Sequence, residues 1–254
     1  MKVVIIGSGN VATVLGKKIS SAGHEIVEVV SRSIDHAQTL AFKLNSTASN
    51  NIKAIKANAD IYLLCIGDMA IKTVAEDFPL KNKIIVHTAG AISKDVLSSV
   101  DFYGVLYPLQ SLRKEMEHIP EIPVMVDGSS PEVSQTLYDF ASRWASSVSF
   151  ATDEERLKLH VAAVFASNFT NRIYTLTEQF CIKENVAFDS LFSLIKETAL
   201  RLSQASPSTL QTGPAQRHDQ ITINKHLELL AAYPELKGLY TYLTNSIQND
   251  QGLL

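Results

Sequence analysis

Charge and sulfur are both scarce in this chain. Charged residues make up 19% of its 254 positions and the net charge is −3. With no basic surplus, neither nucleic acid nor an anionic membrane is expected as a partner. Cysteine occurs twice, at Cys65 in a strand pattern and Cys181 in a helix pattern. Neither falls in a metal-ligand spacing, so no metal is expected, and two reduced thiols suit a cytoplasmic protein. No apolar run approaches the ~20 residues of a membrane span. Met1 and Lys2 are followed by only four apolar residues before Gly7, too few for a signal-peptide core. Internal repeats, low-complexity tracts and a flexible linker are lacking too. What is there, with 46% hydrophobic residues, is length enough to bury the core of one large or two modest domains.

The most informative segment is residues 3–12, Val-Val-Ile-Ile-Gly-Ser-Gly-Asn-Val-Ala. Four apolar, mostly β-branched residues predict a buried strand that breaks at Gly7 into a helix opening near Asn10. The spacing of Gly7, Gly9 and Ala12 matches a dinucleotide fingerprint. Gly7 permits the tight turn, Gly9 lets the backbone approach a pyrophosphate, and Ala12 lets the helix pack closely on the strand. Ser8, Asn10 and Val11 complete the turn, whose free N–H groups would receive the phosphates. Val11, Val14, Leu15 and Ile19 continue as an amphipathic helix to a stop at Gly23, and a second strand runs from Glu25 to Val30. That completes a βαβ unit, the context that separates a fingerprint from an ordinary glycine turn.

The end of the second strand is where nicotinamide enzymes choose their cofactor. An NAD site has Asp or Glu there, for the ribose 2′-hydroxyl; this chain has Ser31-Arg32-Ser33. A guanidinium binds a 2′-phosphate through a charge-assisted fork, with two hydroxyls to assist. The cofactor expected is NADP, the alternative being a plain surface arginine at the start of the next helix.

Strand and helix patterns alternate through about residue 151. After a helix from Ser33 comes a polar stretch, residues 45–51, followed by a short connector. Residues 60–67 form a buried strand ending at Asp68, which could cap the next helix. Further strands are expected at 83–87, 102–107, 123–126 and 147–151, with a helix over 131–145. This is an α/β pattern: a doubly wound Rossmann sheet of mostly parallel strands over residues 1–151. Residues 152–254 read as an all-helical C-terminal domain for substrate and dimerisation, with helices at 153–184, 188–203, 221–232 and 234–248.

On a wheel of ~100° per residue, the long helix at 153–184 gathers Val161, Phe165, Phe169, Ile173, Leu176 and Phe180 on one side. His160, Ser167, Asn171, Thr175 and Glu178 gather opposite, with Asn168 at the margin. Neutral hydrogen-bonding groups in mid-stripe suit a face lining a cleft toward the nucleotide domain, or else a polar helix contact. His160 is the candidate acid–base group there, set against a purely structural histidine. Residues 205–219 lack periodicity and read as a long loop. In it Arg217 could anchor an anionic substrate group oriented by Asp219, or the two could simply pin the loop.

Several segments together resemble known proteins. The element order, the GSGNVA turn and the Ser31-Arg32-Ser33 end are similar to the pyrroline-carboxylate reductase, ketopantoate reductase and β-hydroxyacid dehydrogenase superfamily. More closely, His87-Thr-Ala-Gly-Ala91, Leu106-Tyr-Pro-Leu-Gln-Ser111, residues 163–169 and Thr212-Gly-Pro-Ala-Gln-Arg-His-Asp219 resemble a bacterial family of Rossmann-like proteins with a helical C-terminal domain of unknown function (DUF2520 type). That family is labelled NADP- or deazaflavin-linked oxidoreductase. The resemblance runs along nearly the whole chain and implies an NADP-binding reductase fold, dimeric through its helical domain. It implies no particular substrate. In β-hydroxyacid dehydrogenases a catalytic lysine lies four residues before an asparagine; if Asn168 is that asparagine, the lysine position is Val164. An aliphatic side chain donates no proton, so His160, Tyr107 or Arg217 must supply the acid, or the reduced bond is a protonated imine that needs little.

The function expected is therefore hydride transfer between NADP and a small carbonyl or imine in the interdomain cleft. Cys65, Ile66, Gly67 and Asp68, with His87 and Thr88, would border the nicotinamide from strand ends. Tyr107, Gln110 and Ser111 would reach the substrate, with Asn171 from the long helix and Asp219 from the loop, and the candidate catalytic residues are His160, Asn168 and Arg217. His87 could equally be a strand-end hydrogen bonder. The rival function is a non-catalytic NADP-binding sensor.

Overall fold

A computed structural model describes residues 1–249. By internal contacts the chain forms two units, Met1–Ser167 and Asn168–Leu254.

The first unit is built on an eight-stranded sheet of order β3-β2-β1-β4-β5-β6-β7-β8. The strands are β1 (Lys2–Ile6), β2 (Glu25–Val30), β3 (Thr47–Ser49), β4 (Ile61–Leu64), β5 (Ile84–His87), β6 (Phe102–Pro108), β7 (Pro123–Gly128) and β8 (Ser147–Phe150). Every neighbouring pair is parallel except β6 and β7. The order radiates from β1, so the chain reverses direction across the sheet between β1 and β4, where doubly wound sheets open a crevice. Alternation along the strands produces two cores. Val3, Ile5, Ile61 and Leu63 face one layer, with Leu15 and Ile19; Val4, Ile6, Tyr62 and Leu64 face the other, with Ile71 and Phe78. Strands buried on both faces need near-continuous apolar runs, and residues 3–6 and 61–64 have them.

The helices are α1 (Asn10–Ser21), α2 (Ile34–Lys43), α3 (Asp68–Glu76), α4 (Pro131–Ala141) and α5 (Asp153–Ala163). Ser33 caps α2, Ser130 with Pro131 opens α4, and Thr152 and Glu155 form a reciprocal capping box on α5. The N-caps of α1 and α3 are Gly9 and Gly67, without side-chain caps. Asp68, expected as a cap, is instead the first residue of α3. The polar stretch at 45–51 holds the short edge strand β3, because its backbone pairs with β2 through residues 28–30.

The expected long helix is not continuous. After α5 the chain passes through a π-helical segment, Val164–Phe169, before α6 (Thr170–Lys183). A π turn widens the helix by one residue and rotates the turns beyond it, so the wheel drawn over 153–184 does not hold. Val161, Phe165 and Phe169 are half or more exposed, whereas Leu176 is buried. The side of α5 that is buried carries a charge: Arg156 is 1% exposed.

The second unit contains α6, α7 (Phe192–Arg201), α8 (Pro207–Leu210), α9 (Gln220–Leu229) and α10 (Pro234–Gln248). The loop expected over 205–219 thus includes one short helix, α8. Arg172 pairs with Glu235 at 2.7 Å, Tyr233 donates to Glu184, and Phe180 meets Tyr233 edge-on. None of the residues of α7 is buried, although it carries Phe192, Leu194, Ile195 and Leu200.

Candidate functional site

Because β1, β4, β5 and β6 run parallel, their C-terminal ends share one edge of the sheet, and the predicted cofactor residues gather there. Gly7 has φ +123°, a conformation reserved for glycine, and a Cβ built on it would lie 2.1 Å from the Cys65 carbonyl oxygen. The Gly7 N–H bonds the Val30 carbonyl at 2.7 Å and the Cys65 N–H bonds the Ile6 carbonyl at 2.8 Å. The turn is thereby locked between the ends of β2 and β4. Around Gly9, by contrast, a Cβ would meet nothing within 4 Å, and the same is true of Gly67. Open space over Gly9 and the uncapped first turn of α1, which includes Asn10, Val11 and Ala12, are what a bound pyrophosphate requires. The residues present fit a dinucleotide.

Ser8 and Ser31 are joined at 2.8 Å, so the glycine turn and the end of β2 form one polar surface. Arg32 is exposed and has no ion-pair partner among the described residues. Ser33 is committed elsewhere, since its hydroxyl accepts the His36 N–H. The Asn10 side chain accepts the N–H of Lys114 at 3.3 Å, which brings the segment after β6 to the start of α1. The fingerprint gave no sign of that contact, because the partner lies on a loop without periodicity.

At β4 and β5 the side chains are structural. Cys65 is buried, and burial pushes its thiol up to about 12 against a hydrogen bond with Thr88. It is no nucleophile at neutral pH. The His87 ring is fully enclosed: its Nδ1 accepts the Ala89 N–H at 3.2 Å and its Nε2 faces the Ser93 carbonyl at 3.3 Å. Both nitrogens are matched only if Nε2 carries the proton. Burial, with the Arg156 charge in support, brings this histidine down to about 4. It is the pin of the 88–93 loop.

That loop delivers Gly90 to the pair of most chemical interest. The Tyr107 hydroxyl, at the end of β6, lies 3.0 Å from His160 Nδ1 on α5, and the rings meet edge-on. Gly90 fills the corner between them: a Cβ there would fall 2.6 Å from His160 Nδ1 and 2.9 Å from Tyr107 Cε2. Burial raises the Tyr107 phenol, and Arg156 opposes that rise. Below the pair, Val105, Tyr107, Met125 and Ala151 form a small separate core. The sequence points to Tyr107 and His160 singly and not as a pair, it points to Gly90 only as part of a strand end beside the nicotinamide, and it gives no role to Arg156. The available signal was the spacing of Asp153, Arg156 and His160, three and four residues apart on one helix face.

Other predicted residues are placed differently. The Gln110 amide bonds the Glu121 carbonyl and accepts the Ser111 N–H, so it holds its own loop. Asn168 and Asn171 are exposed in the second unit, and the π segment that holds Asn168 begins at Val164 in the first. Arg217 is exposed beside Asp219, whose carboxylate accepts the N–H and hydroxyl of Thr222 as the cap of α9. Those bonds, then the Arg217 charge, hold Asp219 below the usual carboxylate range. Among the described residues no helix is long and apolar enough to cross a membrane.

A mostly parallel sheet ordered outward from β1, with an open glycine turn after the first strand, defines a Rossmann-type fold. Comparison with known proteins gives the family. Residues 2–90 match the family described as NADP oxidoreductase coenzyme F420-dependent, and residues 122–247 match a domain of unknown function, DUF2520. A Bacteroides fragilis protein assigned as an NADP oxidoreductase is 37% identical, with 97% of each chain covered and a TM-score of 0.90. The chain belongs to this family of NADP oxidoreductase-type proteins with a DUF2520 C-terminal domain. The fold is shared with a pyrroline-5-carboxylate reductase of Streptococcus pyogenes (18% identity, 98% of each chain, TM-score 0.63). It is shared too with an imine reductase of Myxococcus stipitatus solved with NADP+ (14% identity, 98% and 94% covered, TM-score 0.68). No curated protein sequence matches the chain significantly.

Proposed function

We propose that the protein is an NADP-dependent oxidoreductase that moves a hydride to or from a small carbonyl or imine, with Tyr107 and His160 handling the proton. The observation that carries this reading is the 3.0 Å Tyr107–His160 contact, on the same sheet edge as the glycine turn. Gly7, Ser8, Gly9 and the first turn of α1 would hold the pyrophosphate, and Ser31 and Arg32 the 2′-phosphate. When bound, the nicotinamide supplies or accepts the hydride. Tyr107 holds the proton a developing alkoxide requires, and His160 can replace it from Nδ1. Neighbouring strands are ~4.8 Å apart, so β6 brings this pair about three spacings along the edge from β1.

The apolar residues left exposed in the second unit support a homodimer through the helical unit. Phe192 is 56% exposed, Leu194 65%, Leu202 56% and Ile221 73%. A helix such as α7, in which Ile195 is half-buried and no residue is fully buried, gains little from folding alone, and a second copy would cover it. Sedimentation velocity would read this as twice the monomer mass.

The test of function is NADPH oxidation against a panel of small keto acids, aldehydes and cyclic imines. Turnover on one class is expected. In that assay Tyr107→Phe should lower kcat for a carbonyl by about 100-fold, the scale of general acid catalysis, with NADPH affinity unchanged. On a protonated imine, which already bears the charge the hydride neutralises, it should lower kcat by less than about tenfold. NADPH binding without turnover on any class would favour the cofactor sensor instead.

A further inference from the structure

One face of α5 clasps the segment after β5. Asp153 Oδ1 accepts the Lys94 N–H at 3.2 Å. Arg156 Nη2 donates to the Ile92 carbonyl at 2.5 Å and to Asp153 at 2.6 Å. One turn on, His160 sits against Gly90 and Tyr107. Three contacts in register thus fasten the 90–94 stretch to α5, and Arg156 is the middle one.

Arg156 is poorly explained by stability alone. It is 1% exposed, and its Nε and Nη1 are buried with no hydrogen-bond partner among the described residues. An unpaired buried donor costs about 1–3 kcal/mol, and a buried charge carries a desolvation penalty that an aliphatic side chain of similar volume avoids. Such a cost one helical turn from a Tyr–His contact has a chemical rationale. When Tyr107 gives up its proton a phenolate forms, and the Arg156 charge, only partly offset by the part-exposed Asp153, opposes the rise that burial imposes on the phenol. The other charged and titratable groups around the pair are balanced or silent. His87 on β5 is held neutral by its enclosure, Lys94 is paired with Asp127 of β7 at 2.7 Å, and Asp153 is bound to Arg156 itself.

We propose that Arg156 is a positioning residue for the Tyr107–His160 pair: through the Ile92 carbonyl it fixes against α5 the loop that carries Gly90, and it sets a buried guanidinium one helical turn from His160. Gly90 supplies the space this arrangement needs. The inference rests on the reading of the pair as a proton donor, but its test does not depend on turnover.

The test uses Arg156→Met, Arg156→Lys and Gly90→Ala in the full chain without substrate or cofactor. Thermal melting and NADPH affinity serve as controls for folding. The ionisation of Tyr107 is followed by ultraviolet difference titration against Tyr107→Phe, and the His160 tautomer by 15N NMR. Arg156→Met is expected to move the Tyr107 ionisation upward, beyond the titration error, with Arg156→Lys restoring most of it because the charge returns. Gly90→Ala leaves Arg156 intact but sets a Cβ 2.6 Å from His160 Nδ1 unless the imidazole moves, so the His160 15N spectrum should change. If Arg156→Met leaves the Tyr107 ionisation and Gly90→Ala leaves the His160 15N spectrum as in the parent protein, the proposal is overturned. That outcome would leave the oxidoreductase reading standing on the substrate panel.

Discussion

Gly7→Ala is expected to lower the stability of the first unit by about 3 kcal/mol or more and to abolish NADPH binding. Gly9→Ala should abolish binding while costing under about 1 kcal/mol. The difference lies in what each Cβ meets. At Gly7 it would lie 2.1 Å from the Cys65 carbonyl oxygen, part of a backbone fixed by the β1–β4 ladder, at a φ of +123° that no L-residue adopts cheaply. Strain and overlap with unyielding backbone belong to the few causes of losses that large. At Gly9 the φ is −82° and nothing lies within 4 Å, so the only penalty is that alanine is a poorer N-cap. A methyl there would still occupy the space a pyrophosphate needs. Urea unfolding and calorimetric NADPH titration on both variants check the pair of outcomes; equal stability losses would show the glycine turn to be less constrained than its contacts indicate.

Acid should weaken the protein through His87. Its ordinary pKa is 6.5, and burial brings it to about 4 in the folded chain. The folded state therefore favours the neutral ring. The stability this contributes is present in full above pH 6.5 and is lost as pH falls toward 4. Over that window the loss attributable to His87 is about 3 kcal/mol. The structural reason is specific: Nδ1 accepts the Ala89 N–H, and a protonated ring has no acceptor. Protonation would also release the 88–93 loop that carries Gly90 to Tyr107 and His160. The check is the difference between parent and His87→Gln unfolding free energies at pH 7 and pH 4. The parent should lose about 3 kcal/mol more than the variant across the interval; parallel losses would assign the acid sensitivity to other groups.

The parts of this molecule that the sequence disclosed are those whose causes are local. Residues 3–12 contain strand, turn and helix start in one stretch, and the structure places each as expected because every requirement is met by near neighbours. The strands of the sheet arise from their apolar runs in the same way. β3 escaped notice because residues 47–49 are polar and become a strand only by pairing with β2. The break in the helix at Val164–Phe169 left no glycine or proline to mark it. The buried face of α5 is hidden from the sequence for a related reason. Its apolar stripe points to an inward side, yet Val161 is 50% exposed while Arg156 is enclosed by a carbonyl 64 residues away in sequence. Burial of a charge depends on a partner brought by the fold, and periodicity carries no record of it. Tyr107 and His160 were each visible as chemically able side chains; their contact across 53 residues was not.

The central claim is that the glycine turn and Arg32 make this an NADP protein, and it is tested most directly by calorimetric titration with NADPH and NADH. The parent protein should bind NADPH at least about tenfold more tightly, the equivalent of one charge-assisted contact of about 1.5 kcal/mol. Arg32→Ala should bring NADPH affinity down to that of NADH and leave NADH unaffected. Equal affinities in the parent protein, or an Arg32→Ala variant that weakens both cofactors alike, would contradict the claim.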